Sequence, residues 1–200
     1  MSRPLVAGLI AEGETDELFL GRVISRQLRA LADRSARCRI DIEPVEYGSW
    51  RMIKDDARIH AAAMELAADC HIVFLHNDHR EREKAERLAR ALQDAGVDRS
   101  VIPLVPVRET EAWLLADGSV WAAVPGADPG RLPARPRDVE KIADPKRVLR
   151  EVLARVSHRE VRDHFAFAGD RVDLDVLGRV PAYAEWVAAT TRALVDQGFL

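Results

Sequence analysis

The chain has 200 residues, enough for one globular domain or for one domain with a helical extension, and its 48% hydrophobic content supports a core, so overall disorder is excluded. The formal net charge of -3 excludes a broad basic coat; nucleic acid would have to meet a local basic patch, with salt-sensitive affinity. Cys38 and Cys70 form neither a CxxC nor a zinc spacing and read as buried, reduced thiols. The opening MSRPLVAGLI is followed at once by acid, unlike a signal peptide, and no stretch nears the ~18 apolar residues of a membrane span. A cytoplasmic protein with no membrane contact is the expectation.

PLVAGLIA (4–11) is a short continuous apolar run, as a buried strand requires. GETDE then starts a helix, with Thr15 as N-cap, Asp16 and Glu17 near the positive dipole end, and Leu20, Ile24, Leu28 and Leu31 at helical spacing. CRIDIEPVEY (38–47) alternates as a strand, and Pro44 places it near a sheet edge. A second helix is expected from about Trp50 to Ala68, and HIVFLHND (71–78) is a compact strand ending in polar groups. EREKAERLARALQDAG (81–96) carries a stripe of Ala85, Leu88, Ala89 and Leu92, with Gly96 as its stop. VIPLVPV (101–107) is a fourth strand and ETEAWLLAD (109–117) a short helix. Strands alternating with helices predict a mostly parallel four-stranded α/β sheet flanked by helices over residues 1–118.

From Gly118 onward no strand is evident. PGADPGRLPARPRD (125–138) reads as a loop, and DPKRVLREVLARV (144–156) and PAYAEWVAATTRALV (181–195) as helices, so 119–200 is expected to be a helical extension packed on the sheet. Tyr183, Trp186, Val187, Thr190 and Leu194 form the stripe that docks it, and Trp113 and Trp186 read as core residues.

In a parallel sheet the carboxyl ends of the strands share one edge, where ligands bind. The first strand ends in Glu12, the third in His76-Asn77-Asp78-His79, and the fourth in Arg108-Glu109-Thr110-Glu111. Carboxylates converging there repel unless a hard divalent cation such as Mg²⁺ joins them, and such an ion can clamp a phosphodiester. Acids at helix starts are also ordinary caps, and Asp78 could serve as one. His76, Asp78 and His79 lack a standard zinc spacing.

The strand-Glu-Gly of LIAEG, a later strand with an Asp-x-Asp-like turn and a further acidic motif resemble the Toprim fold of topoisomerases, bacterial primases, recombination proteins and nucleases of the overcoming-lysogenization-defect type. AEGETDELFL, FLHND, ETEAWLLAD, DPKRVL and VPAYAEWV are more closely similar to the Toprim-like domain-of-unknown-function family 4276. The resemblance implies Glu12 as general acid/base or metal ligand, Asp78 as the second aspartate of the turn, and Glu111 as a further ligand, with Glu109 a weaker candidate. It also implies Mg²⁺ or Mn²⁺, a DNA or RNA substrate, an ATPase partner protein and a role in defence against phage or foreign DNA. His76 stands where Toprim proteins carry their first aspartate. It leaves three readings open: a transition ion bound with His76, weak Mg²⁺ binding through the acids alone, or a site that has lost catalysis.

Phosphate binding is assigned to Arg51, Lys54 and Arg80. Arg51 and Lys54 share a face of the second helix with Arg58, where Gly48 and Ser49 open it near a strand end; Arg80 flanks the acidic turn. A solvated helix face is the competing reading of the first set, and the more ordinary one. Metal-dependent phosphodiester cleavage is the leading expectation. A non-catalytic partner subunit and a metal-dependent phosphatase or nucleotide hydrolase are its rivals.

Overall fold

Side-chain alternation along three short strands sets the layering. A computed structural model describes residues 2–35, 38–49, 51–52, 55–78, 82–97, 100–156 and 161–200. In chain order the elements are β1 (Arg3–Leu5), β2 (Ala7–Ile10), α1 (Glu14–Ser35), β3 (Ile40–Ile42), β4 (Glu46–Tyr47), α2 (Asp56–Asp69), β5 (Ile72–His76), α3 (Arg82–Asp94) and β6 (Ser100–Leu104). The helices α4 (Glu111–Leu114), α5 (Gly118–Ala122), α6 (Pro145–Val152), α7 (Val161–Arg171), α8 (Leu174–Leu177) and α9 (Pro181–Asp196) follow, with 3-10 turns at Pro129–Arg131 and Pro136–Lys141.

The four-stranded sheet has the order β4-β2-β5-β6, with every pair parallel, and β1 pairs with β3 in a short parallel ribbon. Each of the first two predicted strands is therefore broken in two. The Val6 N–H donates to His71 Nδ1 at 3.1 Å instead of to a neighbouring strand, and Pro44, which has no N–H, lies between β3 and β4. Ala7, Leu9, Ile72, Phe74, Ile102 and Leu104 join one apolar cluster, with α1 and the C-terminal helices. Ile10, Val73, Leu75, Val101 and Val105 join another, under α2 and α3. Helices thus cover both faces of the sheet, as a parallel sheet requires.

Several boundaries differ from the sequence reading. Glu17 N–H donates to Gly13 O at 3.1 Å and α1 begins at Glu14, so Gly13, not Thr15, occupies the cap. The second helix begins at Asp56, because Asp55 accepts from the N–H groups of Ala57 and Arg58. That places Arg51 before the helix and removes a free N-terminus near Gly48 as a phosphate site. Cys38 is exposed, while Cys70 is buried and burial pushes its thiol up to about 11.

The C-terminal helices belong to the same apolar cluster as β2, β5 and β6. Trp113, Tyr183, Trp186 and Phe74 form a chain of aromatic edges at 5.1–5.4 Å between ring centres. The helix α7, which the sequence reading left out, packs along α1. A methyl group at Gly169 would stand 2.9 Å from the Phe19 carbonyl, so the two helices approach closely only because this residue has no side chain.

Candidate acidic site at the strand ends

β2, β5 and β6 are adjacent and parallel, with Ile10 paired to Leu75 and His76 to Leu104, so the residues that follow each strand emerge together. Glu12, Asp78 and Glu111 are gathered this way. The Asp78 N–H donates to Glu12 Oε2 at 3.1 Å, which ties the end of β5 to the end of β2.

His76 joins all three strand ends. It is fully buried, and the Glu12 N–H donates to its Nδ1 at 3.3 Å. The ring must then carry its proton on Nε2, which donates to Thr110 Oγ1 at 2.9 Å. Burial lowers its pKa from 6.5 against the pull of Asp16 and Glu12, so the imidazole is neutral at pH 7. With both nitrogens engaged, His76 offers no lone pair to a cation in this arrangement. The ring positions Glu12 and Thr110 in place of the metal-ligand role assigned to it from sequence.

Glu111 reaches the edge through a strained turn. Arg108 has φ 75°, and the Glu109 N–H donates to Val107 O at 3.2 Å, the geometry of a γ-turn centred on a residue in the left-handed region. The turn reverses the chain after β6 and starts α4 at Glu111, whose residue is only 7% exposed.

The electrostatics mark the same group. Burial, then Glu12 and Asp16, push Asp78 up to about 7, with Lys146 opposing and Glu111 adding to the rise. Burial likewise pushes Glu111 up to about 7, with Lys146 opposing and Asp16 and Glu109 adding. Lys146, from the first turn of α6, stands 3.2 Å from Glu109 Oε1. Burial disfavours its charge, but Glu111, Glu109 and Asp78 outweigh this and raise its pKa. Both side-chain polar atoms of the fully buried Asn77, and Glu109 Oε2, have no hydrogen-bond partner among the described residues. Orphaned groups of this kind cost about 1–3 kcal/mol each.

Two members escaped the sequence reading. Asp16 read as a helix-start acid, yet its charge acts on His76, Asp78 and Glu111. Its signal was position: one helical turn beyond Glu12 on the helix leaving the same strand. Lys146 lies in DPKRVL, about forty residues past the last strand, where nothing local points to the site.

Among the basic residues, Arg51 is brought near the edge, since its neighbour Met52 donates its N–H to Ala11 O at 3.0 Å. Its guanidinium lies 3.4 Å from Glu17 in a partly exposed ion pair that a phosphate would have to share. Lys54, His79 and Arg80 lie outside the described residues.

The donors at the edge are carboxylate and amide oxygens, the kind a hard divalent cation takes. Among the described residues no three His, Cys, Asp or Glu side chains close on a common point. The residues fit a cation in chemistry, with a set that is open and must draw together to hold one.

No helix among the described residues is long and apolar enough to cross a membrane. Neither a curated protein nor a solved structure shows significant similarity to the chain. Residues 11–173, which carry every group of the acidic edge, match the family model of the domain of unknown function DUF4276, and the chain belongs to that family.

Proposed function

We propose that the chain is a Toprim-like hydrolase that cleaves phosphodiesters of DNA or RNA with Mg²⁺ or Mn²⁺ at the acidic edge. One observation carries the reading: two carboxylates, the half-buried Asp78 and the buried Glu111, are pushed up to about 7 because burial and neighbouring acids oppose their ionisation. Groups of this kind are suited to proton transfer near neutral pH and to holding a cation that relieves their repulsion. Glu12, Asp78 and Glu111 would hold the ion, which when bound supplies charge to the phosphate oxygens and activates water. His76 keeps Glu12 oriented through its backbone, and Thr110 through its hydroxyl. Lys146, half-exposed beside Glu109, would meet a phosphate oxygen, with Arg51 further along the edge.

The test is cleavage of plasmid, single-stranded DNA, RNA and nucleotides with each cation, beside Glu12→Gln and Asp78→Asn. Activity in the wild type that both variants lose supports the proposal. Equal residual cleavage in all three proteins identifies a contaminant and sinks it. Hydrolysis confined to nucleotides moves the site to the phosphatase class.

A second reading is favoured by the engagement of both His76 nitrogens and by the open donor set: a non-catalytic Toprim-like subunit acting with an ATPase partner, in defence against phage or foreign DNA. Inactive protein that binds a co-expressed ATPase equally well with or without Glu12→Gln would support it.

A further inference from the structure

A cleft of about 750 Å³ lies between the second half of α1, the segment 171–179 and α9. It is lined by four arginines, Arg26, Arg34, Arg171 and Arg179, and by two aspartates, Asp173 and Asp175. The local excess of positive charge stands out in a chain whose formal net charge is -3. Much of the carboxylate capacity is already used: Asp175 pairs with Arg34 at 3.4 Å, and Asp173 accepts the Asp175 N–H as the cap of α8. Arg26 is held in place by its bond to Gly169 O at 2.9 Å, and Arg171 lies over the Phe167 ring. Arg179 is exposed and has no carboxylate partner among the described residues.

One wall is different in character. Ala30, Ala184, Val187 and Ala188 supply apolar lining, together with the buried Tyr183, whose hydroxyl donates to Gln27 Oε1 at 2.8 Å. Guanidinium groups recognise phosphate through paired, charge-assisted hydrogen bonds, while apolar lining accepts the face of a ring. The volume falls in the range of small-molecule pockets, about 300–1,000 Å³.

We propose that this cleft binds a nucleoside phosphate, with the phosphates on Arg34, Arg171 and Arg179 and the base against the wall of Ala30 and Val187. The site is separate from the acidic edge. Arg26 lies ten residues along α1 from Asp16, the residue of this helix that acts on the acidic edge, roughly 15 Å at 1.5 Å per residue. The proposal does not depend on the chain being a hydrolase.

Titration calorimetry of the full chain with ATP, ADP, inorganic phosphate and a short single-stranded DNA tests it, using Arg34→Ala, Arg179→Ala, Val187→Trp and Glu12→Gln. The replaced arginines are exposed, and matched far-UV circular dichroism melts verify that each variant is folded. ATP or ADP binding is expected, weakened about tenfold by either arginine variant, equivalent to losing one charge-assisted contact. Val187→Trp should weaken nucleotides more than inorganic phosphate, and Glu12→Gln should change neither. Absence of nucleotide binding at about 1 mM, binding indifferent to both arginine variants, or binding lost in Glu12→Gln would overturn the proposal. Preference for the DNA strand over ATP would overturn it in favour of a nucleic-acid surface.

Discussion

Replacing Glu111 with Gln should make the cation-free protein more stable at alkaline pH. The residue is 7% exposed, and burial raises its pKa most, with Asp16 and Glu109 adding and Lys146 acting in the opposite direction. Its pKa rises from an ordinary value of 4.5 to about 7 on folding. The stability associated with the neutral acid is therefore complete below about 4.5 and is lost as pH rises through about 7. At about 1.36 kcal/mol per pH unit, that interval corresponds to about 3 kcal/mol in a rigid site. Relaxation and solvent entry bring the expected effect to about 1–3 kcal/mol, or roughly 3–10 °C in melting temperature for a chain of this size. Gln keeps the shape and removes the charge. Thermal melts followed by circular dichroism in chelator should show Glu111→Gln above wild type at about pH 8 and level with it at about pH 4. Adding Mn²⁺ should reverse the order, because wild type alone keeps the full carboxylate set. A variant no more stable than wild type at the alkaline pH, or one that differs equally at both, refutes a buried carboxylate ionised against its surroundings.

Further expectations concern the supports of the site and the core. His76→Ala leaves the Glu12 N–H and Thr110 hydroxyl without their partner in a dry interior and should cost about 2–4 kcal/mol in urea unfolding; a cost below about 0.5 kcal/mol would remove the ring's bridging role. Lys146→Met removes the positive charge that holds Asp78 and Glu111 down, so their carbon-13 carboxyl titrations should move above about 7; unchanged midpoints would place Lys146 out of range. Gly169→Ala drives a methyl onto the Phe19 carbonyl and should cost about 1–3 kcal/mol, and a neutral effect would mean that α1 and α7 can separate freely.

The layered sheet was legible because each strand is a short, dense apolar run and each early helix has a periodic stripe. The stripe Ala85, Leu88, Ala89 and Leu92 is buried as a unit, as are Leu20, Ile24, Leu28 and Leu31 on α1. Boundaries were less legible where capping competes with pattern. Asp55 caps α2 and starts it at Asp56, and Gly13 displaces Thr15 at the start of α1. The helix α7 was missed because its amphipathic pattern is weak: Phe165 and Ala168 are buried against α1, while the close approach at Gly169 involves no side chain at all.

Local sequence determined that Glu12, Asp78 and Glu111 each follow a strand, because a strand-to-helix junction is a short-range matter of apolar runs and breaks. Their meeting depended on the order β4-β2-β5-β6, a long-range choice of partners that no window of sequence contains. Tertiary structure also gave His76 its role. The imidazole could have faced a cation, but the Glu12 N–H and the Thr110 hydroxyl, 64 and 34 residues away, take its two nitrogens first. It likewise brought Lys146 and Asp16 into the same field. Charge acts through space, across distances that chain separation does not measure.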